Sequence, residues 1–182
     1  DLAHIHKTIM QPMVDALAEN GTPFVGVLYA GLMLTGDGIK VLEFNARFGD
    51  PETQVILPLL DTDLYDILCA CADGRLGEIQ IHWKNAFCAT VVLASGGYPA
   101  SYPKGLPIHG LETKSDDVIV FHAGTSPEKE QVLTSGGRVL AVSAIGDTLK
   151  SALDKSYAHI TKIHFDGMHY RKDIGRTAGG LA

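Results

Sequence analysis

Val41-Leu42-Glu43-Phe44-Asn45-Ala46-Arg47-Phe48-Gly49-Asp50-Pro51-Glu52-Thr53-Gln54 is the stretch around which the rest of the chain can be organised. On an extended strand residues two apart share a face, so Glu43, Asn45 and Arg47 are expected on one side and Leu42, Phe44 and Ala46 on the other. A carboxylate and an amide oxygen are hard ligands suited to Mg²⁺, which usually takes its remaining ligands from water and substrate phosphates. Arg47 adds a planar donor fork that grips phosphate or carboxylate. Asp50-Pro51 has the chemistry of a helix start, with Asp capping free amides and Pro at the first helical position. Gly49, Asp50, Pro51, Glu52 and Thr53 would then frame an anion site at the helix start. Taken alone, the same residues also fit a solvated Glu43–Arg47 ion pair followed by an ordinary helix cap.

Upstream, residues 24–34 and 39–44 read as two strands joined by the turn Thr35-Gly36-Asp37-Gly38, a β-hairpin. Before it, Ile5, Ile9, Met13, Val14 and Leu17 recur at helical spacing up to the stop Asn20-Gly21. Downstream, Pro58 is expected to bend or end the first helix. Asp61 or Asp63 starts the next, with Leu64, Ile67 and Leu68 inward and Asp73-Gly74 near its end. From Ala86 the pattern changes to β-rich runs at 86–94, 118–122 and 138–145, separated by Gly-rich turns. A last helix over 148–163 carries Leu149, Leu153 and Ile160 on one face, and the polar run Arg171-Lys172-Asp173 follows. A boundary near 78–85 divides the chain into expected domains 1–80 and 84–176.

The 182 residues are 46% hydrophobic and 20% charged, the balance of a globular protein with one good core or two small ones. A formal net charge of −6 argues against a nucleic-acid partner, since phosphate contacts need a basic footprint. The longest apolar stretch falls well short of the roughly 20 residues of a membrane span, and no signal-peptide pattern opens the chain; it reads as cytoplasmic. Cys69, Cys71 and Cys88 fit neither a zinc nor a disulfide spacing and are expected as reduced thiols. His4 and His6, two apart on a helix, do not share a face for a metal. His122 is expected to play a structural hydrogen-bonding part. Gly31 and Gly36 have Walker A spacing, but Asp37 stands where the lysine is needed.

Gly26-Val27-Leu28-Tyr29-Ala30-Gly31 and the Val41–Gln54 run resemble the metal-binding strand pair and following loop of the glycinamide ribonucleotide synthetase (phosphoribosylamine–glycine ligase) family, within the ATP-grasp superfamily. The likeness continues through Ala94-Ser95-Gly96-Gly97-Tyr98-Pro99, Phe121-His122-Ala123-Gly124-Thr125, Gly136-Gly137-Arg138-Val139-Leu140-Ala141-Val142 and Tyr170-Arg171-Lys172-Asp173-Ile174-Gly175, and ends before residues 177–182. It implies a mixed α/β (α+β) fold: the C-terminal part of an ATP-grasp lobe, with an antiparallel sheet and helices, then a small β-rich domain. It also implies Glu43 and Asn45 as ligands of Mg²⁺ or Mn²⁺, Arg47 as the catalytic cation, and Gly49–Thr53 as a cradle for a substrate anion, foremost the sugar phosphate. Where many ATP-grasp enzymes place a further Glu, this chain has Tyr29, which is not counted as a ligand. The implied substrates are ATP, glycine and phosphoribosylamine, joined through a glycyl phosphate. The family's amino-terminal domain and ATP loop would precede Asp1, so the chain is not expected to catalyse alone. Arg171, Lys172 and Asp173 could touch a substrate or form a structural ion pair. Another ATP-grasp ligase or carboxylase, or a non-catalytic interaction module, are the alternatives.

Overall fold

The computed structural model describes residues 2–175, so the unfamiliar ending at 177–182 and residue 176 lie outside the described residues. The chain divides into two compact units, one formed by the residues up to Asp50 with Asp61–His82, the other by Pro51–Leu60 and the chain from Trp83 on.

The first unit opens with α1 (Leu2–Ile5), a π-helical turn (His6–Met10) and α2 (Gln11–Glu19). Met10 keeps helical angles, φ −72° and ψ −50°, so the three run on as one helix. The wide turn has a cause in Pro12: it has no N–H to give, and its ring would crowd the carbonyl one turn back. Asn20 N donates to Ala16 O and Gly21 takes φ +75°, ending the helix at the expected dipeptide. Strands β1 (Tyr29–Thr35) and β2 (Gly38–Asn45) pair antiparallel around Gly36-Asp37. Pairing begins at Tyr29, not at 24 as expected, and Gly26 at φ +142° interrupts the extended run. In α4 (Leu64–Ala72) the Asp63 carboxylate accepts from Tyr65 N, an N-cap. Leu68, expected inward, is 46% exposed, and Ala70 is buried instead. Ala70 is this unit's only buried apolar side chain among the described residues, while Leu34 and Leu42 are 80% and 64% exposed. A two-stranded hairpin with so little buried apolar surface is marginal by itself.

The second unit holds the main core. Helix α3 (Thr53–Leu59) is preceded by Glu52 at helical angles with no side-chain cap, so Asp50 is not the N-cap its sequence position implied. Pro58 falls in the last turn of α3, where Lys84 Nζ donates to its carbonyl at 2.9 Å. Then come β3 (Phe87–Ala94), β4 (Val118–His122), the hairpin β5 (Thr125–Glu128) and β6 (Gln131–Thr134), and β7 (Arg138–Gly146). The central sheet is antiparallel in the order β3-β7-β4, and β5-β6 is separate. Helix α5 (Leu149–Ile160) starts at Thr148, whose hydroxyl accepts from Ser151 N. Both α3 and α5 pack on β3 and β7. Val91, Leu93, Val139, Leu140, Val142, Ile160, Ile163 and Phe165 form the core, and buried Ser156 donates to Val142 O at 2.9 Å. All three cysteines are free thiols, Cys88 buried and its pKa raised by that burial, so it sits inert in the core.

Candidate functional site

The hairpin register decides which side chains meet. Gly31 pairs with Glu43 and Tyr29 with Asn45, and an irregularity follows Gly31. Tyr29, Gly31, Glu43 and Asn45 therefore share one face. Asn45 Nδ2 donates to Glu43 Oε1 at 2.9 Å. That bond holds the two side chains together and leaves Glu43 Oε2 and Asn45 Oδ1 as acceptors. Gly31 makes room for the arrangement: a Cβ there would stand 3.0 Å from Glu43 Cγ. Sequence reasoning quoted Gly31 as part of a motif but assigned it nothing; its signal is a glycine directly opposite a ligand-type carboxylate.

Strand β2 ends at Asn45, so the alternation that was to carry Arg47 onto the Glu43 face does not extend to it. Arg47 is exposed, and Nη1 donates to Phe48 O at 3.1 Å. No ion pair joins it to Glu43 among the described residues, which removes the plain salt-bridge reading. Gly49 is buried and Asp50 exposed at the end of the first unit's opening segment. Pro51, Glu52 and Thr53 belong to the second unit, where Val55 N and Ile56 N both donate to Glu52 O at 3.0 Å.

Two hard oxygens on one strand face suit Mg²⁺ or Mn²⁺ and are poor for softer metals. No group of three or more His, Cys, Asp or Glu that could hold a metal occurs among the described residues. The donor set thus fits a cation that keeps water and phosphate oxygens, and not a closed protein cage. His4 and His6 are both exposed, and His122 shares a 3.1 Å hydrogen bond with Thr125 Oγ1, a local structural link. Arg171 and Asp173 form a bidentate ion pair. Burial, then Lys162, lowers the pKa of His159.

Comparison with known proteins assigns the two halves of the sequence separately. Residues 1–53 match "Phosphoribosylglycinamide synthetase, ATP-grasp (A) domain" and residues 88–177 match "Phosphoribosylglycinamide synthetase, C domain". A phosphoribosylamine–glycine ligase of Synechocystis sp. is 53% identical over 179 residues, covering 96% of this chain and 42% of that protein. The human trifunctional purine biosynthetic protein adenosine-3 is 49% identical over 176 residues, 96% of this chain and 17% of its own length. The crystal structure of phosphoribosylamine–glycine ligase from Thermotoga maritima superposes with a TM-score of 0.73 at 35% identity, over 86% of this chain and 39% of that one. This chain spans well under half of each of these proteins. With both domains matched in order and half the residues shared, the chain belongs to the phosphoribosylglycinamide synthetase family of ATP-grasp ligases.

Proposed function

We propose that the chain is the C-terminal portion of a ligase that joins phosphoribosylamine to glycine at the expense of ATP, a step of purine synthesis in the cytoplasm. The observation that carries this reading is the Glu43–Asn45 oxygen pair on the hairpin face, in a sequence half identical to such ligases. In this reading residues 1–80 serve the ATP-grasp part and 84–176 the C domain. The remaining ATP-binding parts, which the longer relatives carry, are its partner. No helix among the described residues is long and apolar enough to cross a membrane.

The glycine carboxylate attacks the γ-phosphorus of ATP, and the bond to the bridging oxygen breaks to release ADP and form glycyl phosphate. The amine of phosphoribosylamine then attacks the acyl carbon and expels phosphate, with loss of the amine proton. A divalent cation held by Glu43 and Asn45 would offset the charge on the ATP phosphates. Arg47 steadies the phosphoryl group with its donor fork, and Gly49–Thr53 orients a substrate anion. Catalysis is then positioning and electrostatics, with no nucleophilic side chain. Glu43→Gln in a complete enzyme is expected to abolish turnover and leave folding intact; near-normal turnover would overturn the metal assignment. Replacing phosphoribosylamine by other amines or by bicarbonate separates this ligase from an ATP-grasp carboxylase.

A further inference from the structure

Arg171 is 69% exposed at its side chain, yet its guanidinium is held in one orientation. Nε and Nη2 donate to Asp173 Oδ1 and Oδ2 at 2.9 and 2.6 Å. One hydroxyl clamps the backbone on both sides: Tyr157 OH donates to Arg171 O at 2.9 Å and accepts from Ile174 N at 3.2 Å. Tyr157 rises from α5 and packs against the core, with the Tyr170 ring 6.3 Å away. The loop is thereby tied to the most rigid helix of its unit. An exposed ion pair contributes little to stability, so this bracing is better accounted for by aiming the guanidinium than by holding the fold. Two of the five guanidinium N–H groups are spent on Asp173, which leaves the Nη1 pair and one Nη2 hydrogen directed away from it. Lys172, the next residue, is exposed and has no hydrogen-bond or ion-pair partner among the described residues.

Charge favours this loop for a dianion. The chain carries 21 acidic against 15 basic side chains, so an adjacent Arg-Lys pair with an oriented fork stands out from its background. The Gly49–Thr53 run holds Asp50 and Glu52 and no Lys or Arg, so a phosphate monoester there finds no cation supplied by the loop itself. We propose that Arg171, with Lys172 as a second positive charge, binds the phosphate monoester of the sugar-phosphate substrate, and that Asp173 and Tyr157 are positioning residues. The identity of the ligand rests on the ligase reading. The anion site does not.

The test is calorimetric titration of the intact chain with ribose 5-phosphate, ribose and inorganic phosphate. Ribose 5-phosphate is expected to bind and ribose not. Arg171→Gln should weaken binding about tenfold or more, since charge-assisted forks are the strong hydrogen bonds. Arg171→Lys keeps the charge, loses the fork and should fall between. Tyr157→Phe should weaken binding by freeing the loop, a change that a merely structural role for Arg171 would not produce. Lys150→Gln, an equal charge loss on the exposed side of α5, should bind as the parent does. Absence of ribose 5-phosphate binding, or Arg171→Gln binding unchanged, overturns the proposal. Inorganic phosphate binding as tightly as ribose 5-phosphate would overturn the sugar-phosphate assignment. The titration needs neither ATP nor glycine. Arg171-dependent binding without ligase turnover would therefore sink the functional reading alone, and turnover with an indifferent Arg171 would sink this inference alone.

Discussion

Replacing Gly31 by Ala tests whether the hairpin face is built for a cation. The new Cβ would stand 3.0 Å from Glu43 Cγ, against 3.4 Å or more for ordinary contact. The Glu43 stem must therefore give by roughly half an ångström or change rotamer, which is inexpensive for an exposed side chain: well under about 1 kcal/mol of stability. What it disturbs is the 2.9 Å bond from Asn45 to Glu43 that brings the two oxygens together. Groups that orient metal ligands typically carry about a 10- to 100-fold effect on affinity, and the lower figure is expected for this displacement. Mn²⁺ titration of the intact chain, followed by electron paramagnetic resonance, reads it directly. Gly36→Ala, where nothing lies within 4 Å of the added carbon, serves as the control. Equal Mn²⁺ affinity in Gly31→Ala and the parent, with both folded, would refute the reasoning.

Phe165 is fully buried in the core cluster, and Phe165→Ala should cost about 3–5 kcal/mol by the cavity it leaves, read as a fall in denaturation midpoint. His159 is 4% exposed, and its pKa is lowered by burial and then by Lys162. Folding therefore favours its neutral form, so its contribution is complete above the unfolded pKa of about 6.5 and is lost as pH falls through the lower folded value. His159→Gln should flatten that acid-side loss in thermal unfolding; an unchanged pH profile would contradict the assignment.

Elements whose signal is local were legible in the sequence. The Gly36-Asp37 turn marked the hairpin, and Thr148 and Asp63 marked their helix starts because a cap hydrogen bond needs only neighbouring residues. The Glu43–Asn45 pair followed from period-two alternation alone, and the structure adds the bond between them. Elements set by tertiary pairing were not legible. Strands β5 and β6 have four residues each, include Pro127 and turn through Lys129 at φ +53°, so neither alternation nor a Gly turn announces them. Leu68 was placed inward by spacing, but a helix face cannot be assigned without knowing what covers it. Arg47 lay beyond the strand end, where the alternation rule stops applying. Asp50-Pro51 has cap chemistry, yet the chain turns there before the helix begins at Thr53.

The account's central claim is that this chain completes an ATP-dependent ligase through Glu43 and Asn45. The direct measurement mixes it with the remaining N-terminal portion of the Synechocystis relative, confirms association, and follows ADP release with glycine and phosphoribosylamine. ADP release that requires both substrates and disappears with Glu43→Gln is the predicted result. Confirmed association with no substrate-dependent ADP release, or with release indifferent to Glu43→Gln, would contradict it.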